Sequence, residues 1–465
     1  MDARALIVAA TTLATSGLST SCAPGEESAA RSERRHLIVV AIDALRFDHT
    51  GLAGYPVPTT PALDRLAAEA LVWNEARSAS SYTLQSVSAL FTGRLPSSGG
   101  SIGLLEAQPA ESSITLASAF RRAGYRTALA TNQPLLSGRG FTRGFDDVAV
   151  ASAQESWPCA EVVRRGLAAF DAPDDGPRFL YLQLVEPHQP HTPSEDALRR
   201  FADAGTDALA ARYDAEIATA DDCLGATVEG LRTRDALDDS VLVVLGTQGE
   251  ELGEHGDTGS GWTVYDEVLR VPLVVHAPGL LEAGRTDAPA SIVDLYPTLL
   301  ALHSLPAAAE DAFLDGRSLL AERGARFRSI DADDRAVIAE LVIPERAIAR
   351  AVIQGGVKYV ATLKSHPPRE RDAIAEAYFD IVAAAAKGEA EAPPLWDAPV
   401  IEELYDLAAD RGETENLAAA GGATPDARLE PLRGILDRYR ERCRQHGLAA
   451  RQARPRAALP TAEEI

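Results

Sequence analysis

Cysteine is scarce in this 465-residue chain: Cys22, Cys159, Cys223 and Cys443 are the whole complement. They are too scattered for a CxxC zinc site and too few for a disulfide framework, and the sequence leaves the pairing of Cys159, Cys223 and Cys443 open. Positive charge is also short, with 45 Lys and Arg against 68 Asp and Glu and a formal charge of -23. A surface of that sign repels phosphate backbones and anionic headgroups, which excludes nucleic acid as a partner. Beyond the N-terminal segment, no stretch approaches the ~18 continuous apolar residues of a membrane span. What remains is ordinary in composition, 24% charged and 46% hydrophobic, so a packed core is expected in place of general disorder. The length suits a large two-part α/β protein.

Residues 1–22 read as an export signal: Arg4, an apolar stretch from Ala5 to Leu13, then Ser19, Thr20 and Ser21 before Cys22. Small residues ahead of a lone cysteine look like a bacterial lipobox, although Ser19 stands where its leucine belongs. Cys22 would then be lipidated and would anchor an exported protein in the cell envelope or periplasm. A plain secretory signal is the alternative. Residues 23–35, rich in Ser, Ala, Gly and Glu, read as a tether.

Leu37–Ile42, Phe179–Val185, Val241–Leu245 and Val271–Val275 are nearly continuous apolar runs, the mark of strands covered on both faces. Tyr125–Ala130 reads as another strand, and helical patterns span Thr60–Ala70 and Ser112–Ala123. This alternation predicts an α/β fold, a mostly parallel central sheet flanked by helices, over 36–320. Reactive residues of such sheets gather beyond the carboxyl ends of the strands, where Asp43, His188 and the Gly246–Gly249 turn fall. A small C-terminal subdomain is expected over 321–442, with a pattern at Ala351–Leu363 and a helix near Pro431–Arg442, followed by a disordered tail over 443–465.

The run Ile42-Asp43-Ala44-Leu45-Arg46-Phe47-Asp48-His49-Thr50-Gly51, followed by Thr59 to Ala67, resembles the opening of the sulfatase family in the alkaline-phosphatase superfamily. The likeness continues in order through Leu90-Phe91-Thr92-Gly93-Arg94-Leu95-Pro96, Glu186-Pro187-His188, Gly249 to Gly256 and Tyr265 to Leu273. It ends in Glu403 to Leu407 with Gly412 to Leu417. The resemblance implies an alkaline-phosphatase-like sheet and hydrolysis of a sulfuric or phosphoric ester. The chemistry would rest on a divalent cation, calcium by preference, that polarises the ester oxygen beside a nucleophile.

Carried over residue by residue, the resemblance keeps Asp43 as the first metal ligand but puts Thr247 and Gln248 where the family has a carboxylate and a second ligand. One anionic donor is too few for a hard dication that takes 6 to 8 oxygens. Thr83 falls where family members carry the Cys or Ser that matures to formylglycine, and Gln85 and Val87 replace the Pro and Arg of that motif. Thr83 is either a metal-activated nucleophile or a helix N-cap. His188 is kept, as a general acid or a hydrogen-bonded loop histidine, while Gln183, Glu186 and Ser260 replace residues that hold substrate. The residue-level alternatives place Asp43 against Arg46 or a turn, and Arg46, Asp48 and His49 in a local hydrogen-bonded turn; Glu250 or Glu251 could swing in as substitute ligands, but in this Gly-rich acidic loop they are expected in solvent.

Two principal functions follow. In the first, the scaffold is a pseudoenzyme with no tightly bound cofactor, acting by binding a ligand or protein partner. In the second, Thr83 is the nucleophile of an active metal-dependent hydrolase or transferase acting on a small anionic ester. A structural envelope protein with an idle cleft is the third possibility.

Overall fold

The computed structural model describes residues 35–445 apart from 104, 139, 153, 172–175, 202–206, 307–312, 324–325, 331–334, 344–346, 364–400 and 419–425. The segment expected as an export signal, the expected lipidation site Cys22, nearly all of the expected tether and residues 446–465 lie outside the described residues.

Eight strands form the main sheet. They are β1 (His36–Ile42), β2 (Leu71–Trp73), β3 (Arg126–Thr131), β4 (Asp147–Val150), β5 (Arg178–Leu184), β6 (Ser240–Gly246), β7 (Leu273–His276) and β8 (Gly284–Thr286). Their order is β8-β2-β7-β6-β1-β5-β3-β4. The five from β6 to β4 are mutually parallel, and β7 alone runs antiparallel to its neighbours. Each apolar run expected as a strand is one, within two residues at either end. Successive residues of β1 feed opposite layers: Leu37, Val39 and Ala41 join one apolar cluster, and Ile38, Val40 and Ile42 the other. That alternation is why the strand carries no polar face.

The helices that matter for the cleft are α1 (Pro61–Ala67), α2 (Thr83–Thr92), α3 (Leu116–Arg122), α4 (Cys159–Leu167) and α5 (Ala208–Arg232). Helix α3 begins later than its apolar pattern, after Thr115, whose hydroxyl accepts from the Ser118 N–H at 3.2 Å. Helix α2 is buried along its whole length. It stops at Gly93, whose φ of 65° is left-handed and whose added Cβ would lie 3.0 Å from Leu314. Helix α5, about 37 Å long at 1.5 Å per residue, starts under an Asp207 side-chain cap and sends buried carboxylates to the loop after β1. Asp221 accepts from the first N–H groups of α1 at 2.7 and 2.9 Å, and Asp214 holds His49 at 2.8 Å.

A second, antiparallel sheet follows: β9 (Val337–Ile343), β10 (Ala347–Gln354), β11 (Val357–Thr362) and β12 (Ile401–Asp406). The Ala351–Leu363 pattern is thus a hairpin turning at Gly355-Gly356, both at positive φ. Val352, Tyr359 and Leu404 share an apolar cluster with Leu37 and Val39 of the main sheet. The last helix, Leu429–Gln445, runs past the residue 443 at which a tail was expected, because Leu432, Leu436, Tyr439 and Cys443 form its buried stripe.

Cys159 and Cys223 form a disulfide that ties α4 to α5 across a sequence separation of 64. Cys443 is a free, buried cysteine whose thiol burial pushes up to about 12. By chain entropy, a cross-link closing a loop of this size stabilises by roughly 4 kcal/mol. The Cys159→Ala variant should therefore unfold at a clearly lower denaturant midpoint than the oxidised wild type; coincident midpoints would show that the bridge does not form.

Candidate active site

The carboxyl ends of β1, β3, β5 and β6 lie along one edge because these strands are parallel. The ladder continues past them: the Asp43 N–H donates to the Leu184 carbonyl at 2.8 Å, and the Thr247 N–H to the Ile42 carbonyl at 3.0 Å. Asp43 and Thr247 are thereby fixed side by side.

Asp43 has 0% exposure, and a buried carboxylate must be paired, hydrogen-bonded or metal-bound. Here neutral donors surround it. Thr247 donates its hydroxyl to Oδ1, Gln133 donates Nε2 to Oδ2 at 3.1 Å, and the Thr83 hydroxyl stands 3.3 and 3.4 Å from the two oxygens. Gln248 bridges the ring, its Nε2 donating to Thr83 Oγ1 at 3.1 Å and its Oε1 lying 2.7 Å from Thr247 Oγ1. Among the described residues, no Arg or Lys side chain bonds Asp43. The expected alternative partner, Arg46, instead grips Asp48 at 2.8 and 3.0 Å and Glu254 at 2.5 Å. The local Arg46–Asp48 turn is present, but His49 leaves it for Asp214.

Thr83 is the first residue of α2 and not its cap; Tyr82 holds the cap position without a side-chain bond. The N-cap role expected for Thr83 is therefore replaced by its contact with Asp43, which sits where the helix dipole favours an anion. Gln85 ties α2 to β9, donating to the Val342 carbonyl at 2.8 Å and accepting from the Val342 N–H at 3.2 Å. Val87 is fully buried in the apolar core. Ser86 and Ser78 both donate to the Thr247 carbonyl, which locks that peptide against α2.

The other predicted residues stand further out. His188 is half-buried, its Nδ1 lying 2.8 Å from the Gln189 carbonyl. Burial disfavours its charged form, but Asp43 and Glu250 outweigh that and raise its pKa. Gln183 is fully buried and accepts from the Tyr181 hydroxyl at 2.7 Å; its Nε2 has no partner and it makes no hydrogen bond to the ring. Ser260 is half-buried between Gly259, which lies against the Gln189 side chain, and Gly261, which lies against Tyr82. Glu186 turns away, accepting from Asn132 and from the Cys159 N–H at the start of α4, both at 3.1 Å.

Gln133 escaped the sequence reading, although it lies just beyond the carboxyl end of β3, where a parallel sheet gathers its reactive residues. The acidic loop also differs from the solvated loop expected. Glu250 and Glu251 are 0% and 1% exposed, not solvated, because Glu250 accepts from the Gln189 N–H and lies 3.2 Å from His191.

The donor set does not fit the dication that the resemblance implies. Calcium needs several oxygens free to face it, whereas both oxygens of the single carboxylate are taken and Gln133 and Gln248 turn N–H groups inward.

A family model described as Sulfatase matches residues 35–304, more than half of the chain. Arylsulfatase A of Homo sapiens is 26% identical over 479 residues, spanning 86% of this chain and 88% of its own. The uncharacterized sulfatase YidJ of Escherichia coli K12 is 22% identical over 365 residues, 63% of this chain and 72% of its own. A protein solved in complex with its substrate D-glucosamine-2-N,6-O-disulfate superposes with a TM-score of 0.67 at 15% identity, covering 90% of this chain and 99% of that one. The phosphonate monoester hydrolase of Agrobacterium radiobacter gives 0.65 at 18%, covering 90% and 96%. At such identities the superpositions speak for the fold alone. With the ordered motifs, the matching sheet and the family match in agreement, the chain belongs to the sulfatase family, on an alkaline-phosphatase-like fold.

Proposed function

We propose that this protein is a non-catalytic member of its family, exported to the cell envelope, whose cleft acts by binding a ligand or a protein partner. The observation that carries the proposal is the closed ring of neutral donors around Asp43. A sulfate or phosphate ester entering it would meet the buried Asp43 carboxylate with no Arg or Lys among the described residues bonded to it, and His188, whose pKa Asp43 and Glu250 raise, as the source of positive charge, a weak field for stabilising a transferring anion. The Cys159–Cys223 disulfide supports an oxidising compartment, in keeping with the export signal and lipobox-like Cys22.

The competing reading, with Thr83 as nucleophile in an active hydrolase, draws on the Thr83 hydroxyl 3.3 Å from Asp43. The two readings part on turnover. Aryl sulfate and aryl phosphate esters should be left intact by the purified protein; hydrolysis that Thr83→Ala abolishes would establish the active reading.

Calcium separates them independently. Added to protein already stripped by a chelator and freed of it, millimolar calcium should leave the thermal midpoint of the wild type unchanged, since a ligand stabilises only by binding the folded state. A calcium-dependent rise that disappears in Asp43→Asn would defeat the proposal.

Restoring the lost donors supplies the converse test. Thr247→Asp with Gln248→Asn puts a second carboxylate beside Asp43, which without metal should destabilise by on the order of 3 kcal/mol. Calcium should recover that loss. Indifference of the double variant to calcium would show that Thr247 and Gln248 do not occupy the inherited metal positions.

A further inference from the structure

A second cluster of potential ligands lies away from the Asp43 ring. Glu251 sits on a two-residue strand, Glu251–Leu252, paired antiparallel with Thr258–Gly259; His255 lies in the loop between them, and Glu267 on the short helix Asp266–Leu269. The three residues are 1%, 6% and 7% exposed. Each offers one donor atom, and these atoms lie within 4.8 Å of one another.

The cluster is electrostatically incomplete. His255 Nδ1 bonds Glu267, and the Thr263 hydroxyl bonds Glu251 Oε1, yet Glu251 Oε2 is buried with no partner at all. The cations close by are engaged elsewhere. Lys358 lies 3.2 Å from Asp266 and 2.9 Å from Glu413, and Arg77 lies 2.8 Å from Asp266. Among the described residues, neither Lys nor Arg bonds the trio. Two buried carboxylates therefore share one imidazole.

We propose that Glu251, His255 and Glu267 form a binding site for a first-row divalent cation such as zinc, separate from the inherited metal position at Asp43. Two carboxylates neutralise a dication, and the cation gives Glu251 Oε2 the partner it lacks. An imidazole among the donors selects zinc over calcium or magnesium, which take oxygen shells. The outer contacts are those of a metal-bound histidine. His255 Nε2 faces the Glu413 carbonyl at 3.4 Å, so an Nε2–H directed there leaves Nδ1 as the ligating atom, and the ring is held flat against Tyr265 at 3.9 Å between centroids. Binding displaces protons from the trio. The metal clamps the Glu251–Gly259 hairpin to the Asp266–Leu269 helix, a structural role that leaves the cleft chemistry as described.

The test is a zinc titration of the chelator-treated, full-length protein in competition with a chromophoric zinc chelator. The expected result is one zinc per chain, a thermal midpoint raised by zinc, and affinity weakened by at least about tenfold in Glu251→Gln and in His255→Gln. Asp43→Asn should bind zinc as the wild type does. Because a His255 variant can lose its fold, zinc-edge X-ray absorption on the wild type provides a second readout, with one imidazole among oxygen ligands expected. Absence of stoichiometric zinc, undiminished affinity in Glu251→Gln, an all-oxygen shell, or loss of zinc in Asp43→Asn would each overturn the proposal.

Discussion

The cleft depends on one constraint: a carboxylate with no solvent exposure, at the end of the central strand of a parallel sheet, must be satisfied from within. Leaving Asp43 unpaired would cost far more than any single contact elsewhere contributes, while each hydrogen bond to a charged acceptor contributes roughly 1.5–3 kcal/mol. Thr83, Gln133 and Thr247 thus supply from side chains the hydrogen bonds that Asp43 needs, and Gln248 ties two of them together. They form one coherent arrangement, not scattered losses.

The same logic governs the surrounding charge. In a chain at -23, the buried basic residues near the cleft are engaged by acidic partners: Arg46 by Asp48 and Glu254, Arg77 and Lys358 by Asp266. These networks hold the loops beyond the strand ends rather than facing a ligand. The Glu251–His255–Glu267 trio is the exception, because it holds more buried negative charge than its single imidazole balances. Lys358 bonds Asp266 and Glu413, Arg77 bonds Asp266, and among the described residues neither bonds the trio.

The sheet was legible from the sequence because strands buried on both faces must be apolar throughout, as in β1 and β6, and because their carboxyl ends bring Asp43, Thr247 and Gln248 together by topology alone. Features set by distant partners were not. Glu250 and Glu251 sit among glycines and acidic residues, which locally signals a solvated loop, yet contacts from the His188–His191 segment and Thr263 bury them. Thr83 has the residue type of an N-cap, but the pull of Asp43, forty residues earlier, decides where its hydroxyl points. Helix α5 shows the same limit, since its buried Asp214 and Asp221 are explained only by the loop after β1 that they hold.

The most direct measurement is a high-resolution crystal structure grown in millimolar calcium. Asp43 should still be ringed by Thr83, Gln133 and Thr247 at hydrogen-bond distance, with no density peak among them. A peak held by short oxygen contacts from Asp43, Thr83 and Gln248, with Gln133 and Thr247 swung aside, would contradict it.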